Sequence, residues 1–365
     1  MSALRQHLNS KFIGISNEEE AIMKCLAIGD MFIPARYFDE NLQNCGLFEG
    51  YESLSWKEEQ DKKAARDTIR QIETLGFKAY PTTDEMLDKI KDVDVLAIHL
   101  CPVPSEMIKA AKNLKYILTC RGGVENIDVD AAKEKGITII NCPGHNAYAV
   151  AEMTIGLILC EMRNIARANK ALVQGVWREK YPNSEKIIEL RSSKIGIIGF
   201  GTIGRLVAER LKVFGAQILV NDPYVDAEEI ESMGYTSMDK EQLLAEADVV
   251  TLHGRIAVGD PPIVGSEELK KMKKSAYLIN TARAVLVDME ALYEAMENEV
   301  IRGAAIDVYP VEPLPKDYKF FKLDNITLTN HRGGATIESY LRAPEMLLEQ
   351  FQELLDTGKT RCMIQ

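Results

Sequence analysis

Four residues hold the chemistry that this sequence places in one pattern: His253, Arg283, Asp307 and His331. Each ends or closely follows a short apolar run of strand length, at 249–253, 277–280, 303–308 and 327–330. Taken singly, an arginine at a strand end is an ion-pair partner and a histidine a hydrogen-bonded structural residue. Together they make a different set. Arg283 offers a planar fork matched to a carboxylate. His331 can serve as proton donor or acceptor, and a nearby glutamate would fix its ring. A cation that holds a carboxylate and polarises a carbonyl, beside an acid that protonates the developing alkoxide, suits hydride transfer to a 2-oxo acid.

Such chemistry needs a bound hydride carrier, and residues 194–222 have the form of a binding unit for one. The stretch reads KIGIIGFGTIGRLVAERLKVFGAQILVND. Ile195, Ile197 and Ile198 form an apolar run that leads into Gly199-Phe200-Gly201-Thr202-Ile203-Gly204. Ile203, Leu206, Val207, Leu211 and Phe214 then recur at helical spacing, and Gly215 stands where a helix ends. Gly199 permits the tight turn, Gly201 lets backbone approach a pyrophosphate, and Gly204 lets helix and strand pack closely. Thr202 and Ile203 open the helix, whose N–H groups and dipole favour a diphosphate. Asp222 lies 18 residues past Gly204, where a carboxylate accepts from an adenosine ribose. That charge repels a 2′-phosphate, so NAD is expected over NADP. The glycines alone would fit a turn that merely packs; the strand before, helix after and closing Asp give them their meaning.

Composition narrows the class. At 365 residues, two domains are expected. A net charge of −11 argues against nucleic acid as a partner. The seven cysteines contain no CxxC pair and read as reduced thiols of a cytoplasmic protein. No signal peptide is expected, because Arg5, His7 and Lys11 interrupt the first residues. The longest apolar segment, 153–160, is far short of the ~18 residues of a membrane span. The five histidines show no paired zinc spacing, so no metal is expected.

The elements that must position these residues alternate along the chain. After an amphipathic lead-in over 1–23, structure begins at 24–28 and enters a loop at 29–34. A charged helix follows over 57–75, ended by Gly76, then a strand at 77–80 and a helix at 84–90. The apolar run 93–100 precedes a helix at 105–112 with Ser105 as its N-cap. Strands at 116–119 and 137–141 complete an α/β domain, and one long helix over 147–174 leads to the glycine turn. Further helices are expected at 266–272 and 335–355. Strands alternating with helices imply parallel sheets covered on both faces.

With these residues in view, the chain resembles the D-isomer-specific 2-hydroxyacid dehydrogenases, which include phosphoglycerate, glycerate and formate dehydrogenases. The resemblance runs from Lys24 to about Leu355. Its carriers are Arg121-Gly122-Gly123-Val124-Glu125-Asn126-Ile127-Asp128, Pro143-Gly144-His145-Asn146 with Val150-Ala151-Glu152, and the glycine turn. Asn280-Thr281-Ala282-Arg283, Ala305-Ile306-Asp307-Val308, Glu312-Pro313-Leu314-Pro315 and Asn330-His331-Arg332-Gly333-Gly334 complete the set. It implies two doubly wound α/β domains, a flavodoxin-like substrate domain over 1–146 and 333–365 and a Rossmann-type NAD domain over 147–332. It implies that Arg283 binds substrate, that His331 is the acid/base, and that Glu312 pairs with His331. Gly122 and Gly123 would offer N–H groups to the substrate carboxylate. Asp307 would hold the nicotinamide carboxamide, with His253, Thr281 and Ala282 also at the cofactor. A homodimer through the NAD domain is implied as well.

The chain departs from the family pattern at Leu252-His253-Gly254-Arg255, where Leu-His-x-Pro is usual, and at Ala284, where Gly is usual. Arg255 reads as a cation at the cofactor's edge or as a surface ion-pair partner. The substrate stays open between a simple 2-hydroxy acid and a phosphorylated or sugar acid. A non-catalytic NAD-sensing scaffold, like the corepressors sharing this fold, is the alternative of another class.

Overall fold

The computed structural model describes residues 23–257, 259–360 and 362–364. The expected amphipathic lead-in lies outside them, apart from residue 23. The chain forms two compact units, one running to His145 and resuming at Ile337, the other spanning Asn146–Thr336.

The first unit is built on β1 (Met23–Gly29), β2 (Phe48–Ser55), β3 (Val95–Ile98), β4 (Tyr116–Thr119) and β5 (Thr138–Asn141). They pair in parallel in the order β5-β4-β3-β1-β2, and Met363–Ile364 adds an antiparallel strand beyond β5. Alternate residues serve opposite faces. Leu26, Ile28, Leu96 and Ile98 join one apolar cluster, whereas Cys25, Ala27, Val95 and Ala97 join another with Phe38, Leu347 and Phe351. Both faces are therefore covered, as a parallel sheet requires.

In the second unit β6 (Lys194–Ile198), β7 (Gln217–Asn221), β8 (Thr236–Ser237), β9 (Val249–Leu252), β10 (Tyr277–Asn280), β11 (Gly303–Ile306) and β12 (Ile326–Leu328) make one parallel sheet. Its order is β12-β11-β10-β9-β6-β7-β8. Strand order reverses between β6 and β9 here, and between β1 and β3 in the first unit. A doubly wound sheet takes its ligand at that point, beyond the carboxyl ends of the strands. No helix of the described residues is long and apolar enough to cross a membrane.

Three local expectations are corrected. Residues 77–80 are not a strand: a 3-10 turn, Gly76–Lys78, follows the charged helix Lys62–Leu75. Tyr80 packs edge-on to Trp56 and its hydroxyl donates to Thr68 Oγ1, which holds the segment as a turn. The long helix over 147–174 is two, Ala147–Met162 and Ile165–Val173, parted at Asn164 in the left-handed region with φ of 57°. The Asn183 side chain donates to the Met162 carbonyl at 2.9 Å and so caps the first helix from a distant segment. Ser105 is the first helical residue rather than the N-cap; Pro104 precedes it and no side chain caps that end. Strand β2, with five of its eight residues polar or glycine, gives no apolar run; its ladder to β1 makes it a strand.

Candidate active site

The order of the second sheet lines up the expected residues along one edge. Asp222 follows β7, the glycine turn follows β6, His253 follows β9, and Thr281 to Arg283 follow β10. Asp307 follows β11 and His331 stands after β12. From β7 to β12 the edge spans five inter-strand steps, about 24 Å.

At the glycine turn, packing explains two glycines and leaves the third. Gly199 has φ of 94°, and a Cβ there would lie 2.2 Å from the Gly254 nitrogen. A Cβ on Gly204 would lie 2.2 Å from the Gly199 carbonyl oxygen. Gly201 has an ordinary φ of −74°, and a Cβ there would meet nothing within 4 Å. Neither conformation nor the surrounding chain requires glycine at 201. The open space lies at the start of helix Thr202–Val213, whose N-cap supplies no side-chain bond. First-turn N–H groups without intrahelical partners are suited to a diphosphate. Asp222 braces this turn, accepting from Phe200 N at 2.6 Å and from Tyr224 N at 2.8 Å. Arg255 is exposed just beyond Gly254 and forms no ion pair among the described residues.

His253 is held by its backbone N–H, which donates to the Ile198 carbonyl at 2.8 Å, and by Nε2, 3.0 Å from Thr251 Oγ1. Its Nδ1 is buried without a partner. Burial pushes the imidazole down to about 3, so the ring is neutral. An orphaned ring nitrogen and the open cradle at Gly201 both fit a bound dinucleotide.

At β10, Asn280 forms the turn that projects Arg283: its side chain accepts from Ala282 N at 3.1 Å and donates to the Arg283 carbonyl at 2.9 Å. The exposed guanidinium donates to Ala282 O at 2.8 Å. Thr281 Oγ1 lies 2.7 Å from Thr154 Oγ1 in the helix below. Sequence reasoning missed Thr154; nothing in its local pattern marks it.

Asp307 is fully buried, and its contacts are to its own chain. One oxygen accepts from Thr329 Oγ1 at 2.6 Å and Arg332 N at 2.9 Å, and the other from Gly333 N at 2.8 Å. The segment it grips carries His331, whose φ of 53° is left-handed for a residue with a side chain. His331 Nδ1 lies 2.8 Å from Glu312 Oε2, and Glu312 Oε1 accepts from Tyr309 N at 3.0 Å. The carboxylate thus orients the ring and leaves Nε2 outward. Gly122 and Gly123 belong to the first unit, where the Asn141 side chain donates to the Gly122 carbonyl at 2.6 Å. Among the described residues no group of His, Cys, Asp and Glu is placed to hold a metal ion.

The family described as D-isomer specific 2-hydroxyacid dehydrogenase, NAD binding domain, matches residues 155–333. The chain is 42% identical over 246 residues to D-3-phosphoglycerate dehydrogenase of Methanocaldococcus jannaschii, covering 67% of this chain and 46% of that one. It therefore spans about half the length of that relative. It is 39% identical over 250 residues to hydroxypyruvate reductase of Thermotoga maritima, covering 67% and 79% of the two chains. The crystal structure of an NAD-complexed D-isomer specific 2-hydroxyacid dehydrogenase from Lactobacillus delbrueckii ssp. bulgaricus aligns with a TM-score of 0.74 at 24% identity, over 94% of this chain and all of that one; it shares the fold.

The buried ring sets an acid sensitivity. Between its ordinary 6.5 and about 3, the unfolded chain binds a proton at His253 that the folded chain refuses. Stability is then full above pH 6.5 and falls as the pH drops through that window. Urea unfolding at pH 7 and pH 5 should show a smaller acid loss for His253→Gln than for the unaltered chain. Equal losses would mean the ring is solvated.

Proposed function

As the chain belongs to the D-isomer specific 2-hydroxyacid dehydrogenase family, we propose that it interconverts a D-2-hydroxy acid and its 2-oxo acid with NAD. One observation carries this reading. The 2.8 Å His331–Glu312 couple stands on the same sheet edge as Arg283 and the open cradle at Gly201.

Bound NAD would supply the hydride acceptor for the hydroxy acid and, in its reduced form, the hydride donor for the oxo acid. Thr202, Ile203 and the backbone at Gly201 would hold its diphosphate, and Asp222 its ribose. His253, Thr281, Ala282 and Asp307 would line its other half. Arg283, which spends one Nη1 hydrogen on Ala282 O and keeps its other donors, holds the substrate carboxylate and draws charge from the 2-carbonyl. By the family resemblance, Gly122 and Gly123 of the first unit would offer N–H groups to the substrate. In reduction His331 gives a proton from Nε2 to the alkoxide oxygen; in oxidation neutral His331 takes it. Glu312 fixes the tautomer and stabilises the imidazolium. In this reading the first unit is the substrate domain and the second the NAD domain.

The proposal includes a homodimer. In the second unit Val173 and Trp177 are 78% and 81% exposed, and Leu172, Val176 and Ile165 are exposed beside them in sequence. A contiguous run of large apolar side chains marks an interaction surface, and a second copy pairing through the NAD domain is the occupant implied by the family resemblance. The cysteines form no disulfide among the described residues, which fits a reducing compartment, and we place the enzyme in the cytoplasm.

NADH oxidation with a panel of 2-oxo acids should find turnover, and His331→Ala should lower kcat by about 10²–10⁴-fold. Turnover by none of the acids, or an unaffected variant, would remove the reading. Asp222→Asn keeps an acceptor for Phe200 N but loses the charge, so the NAD to NADP ratio of kcat/KM should fall at least about tenfold, the effect of ~1.4 kcal/mol. An unchanged ratio would place ribose reading elsewhere. In sedimentation velocity the unaltered chain should run as a dimer and Trp177→Glu as a monomer; a monomeric unaltered chain would refute the pairing.

A further inference from the structure

The first unit contains a second carboxylate–imidazole couple, at the place where its strand order reverses. Asp30 follows β1 and His99 follows β3. Asp30 is wholly buried and His99 is 5% exposed. The Asp30 carboxylate accepts from the N–H groups of Phe32, Ile33 and Leu100 at 2.9, 3.3 and 2.8 Å. Its two oxygens lie 3.2 and 3.0 Å from His99 Nδ1. Burial opposes the charge on Asp30, but His99 and these donors outweigh it and hold the carboxyl below its usual range. An ionised carboxylate only accepts, so Nδ1 donates to it, and it is the imidazolium form of His99 that would present an Nε2–H donor to an anion. His99 Nε2 then has no hydrogen-bond partner among the described residues.

Asp30 fastens its loop through these N–H groups, but that needs no imidazole, and a buried ion pair is weak evidence for stability. The loop after β3 is also fastened twice, by Asn126 Nδ2 donating to the carbonyls of His99 and Cys101 at 3.1 and 3.0 Å. Phe32 and Tyr340 stand edge-on to the imidazole with ring centroids 6.1 and 6.0 Å away, which limits water at the ring.

Basic groups gather at the next strand ends. Arg121 follows β4 and His145 follows β5. Burial holds His145 below its ordinary range and outweighs the opposing bond between its Nδ1 and the Ser339 carbonyl, 3.0 Å apart. Arg121 Nε is buried without an acceptor, and the ion pair of its guanidinium with Glu125 is long at 3.5 Å. The Gly122 and Gly123 N–H groups donate to no acceptor among the described residues. Beside the carboxylates of Asp30 and Glu125, this end of the sheet keeps donors without acceptors among the described residues: Arg121 Nε and the N–H groups of Gly122 and Gly123.

We propose that His99, held by Asp30, and Arg121 read the far end of the substrate, and that this end carries a second anionic group, a distal carboxylate or a phosphate. The inference rests on the dehydrogenase reading for its substrate and on the first unit alone for its geometry. His99 is then a specificity-determining residue, and Asp30 a positioning residue that fixes which nitrogen faces the ligand.

Steady-state kinetics with NADH should compare pyruvate and 2-oxoisocaproate with 2-oxoglutarate and 3-phosphohydroxypyruvate, the last two separating carboxylate from phosphate. The unaltered enzyme should favour one anionic acid over the uncharged-tail acids. His99→Leu should reduce that preference by about 10–100-fold, one charge-assisted hydrogen bond, chiefly through KM. His99→Gln should recover part, and the paired Asp30→Asn/His99→Leu variant removes the unpaired buried charge if the single variant fails to fold. A preference for alkyl acids, or an equal loss on every acid, would overturn the inference. Binding is read without turnover by the His99 ring-proton NMR signal during titration with inorganic phosphate and with malonate. It should move with one anion and stay still in Arg121→Ala. No movement with either overturns the inference, whereas movement without turnover of any acid counts against the dehydrogenase reading alone.

Discussion

A parallel sheet buried on both faces leaves a chain few places to build a polar site, and this constraint governs both units. Strand interiors such as Val95–Ile98, Val249–Leu252 and Gly303–Ile306 are buried throughout. Polar side chains are therefore pushed to the strand ends, where backbone hydrogen bonds of the ladder cease. Each candidate residue of the second unit sits there, and so do Asp30, His99 and Arg121 of the first.

A strand end is a loose foundation, and the chain stiffens it with buried acceptors. Asp307 shows how. Its carboxylate satisfies one hydroxyl and two backbone N–H groups around a left-handed histidine, so the loop after β12 is set by a residue one strand away. Asp222 does the same for the glycine turn through Phe200 N, and Asn280 for the turn before Arg283. An unpaired N–H in such a loop would cost about 1–3 kcal/mol, so each of these acceptors matters to the geometry it holds. Asp307 has lone-pair capacity left for a further donor after three bonds, so a cofactor contact and a loop clamp are compatible at one carboxylate.

Much of the candidate site was legible because its cues are local. Gly199 needs a positive φ, Gly204 needs close packing, and both demands act over a few residues. His331 and Glu312 are 19 residues apart, yet the family resemblance paired them, and the structure sets them 2.8 Å apart. Asn280 was legible in principle, as an Asn closing a strand and bonding the turn after it. Thr154 was not, because its partner Thr281 lies 127 residues away and a threonine in an apolar helix has no local signature.

The sequence by itself determined the alternation of apolar runs and helices, the glycine turn with its closing Asp222, and the residue types at the strand ends. Those follow from near-neighbour sterics and periodicity, which a single stretch of chain contains. Only tertiary structure decided that Phe48–Ser55 is a strand, that the helix stops at Met162, and that Asp30 lies beneath His99. Each of these depends on a partner supplied from elsewhere: a ladder to β1, the amide of Asn183, a ring 69 residues away. Hydrogen bonds between distant segments exist only once the chain has closed, so no local pattern can announce them.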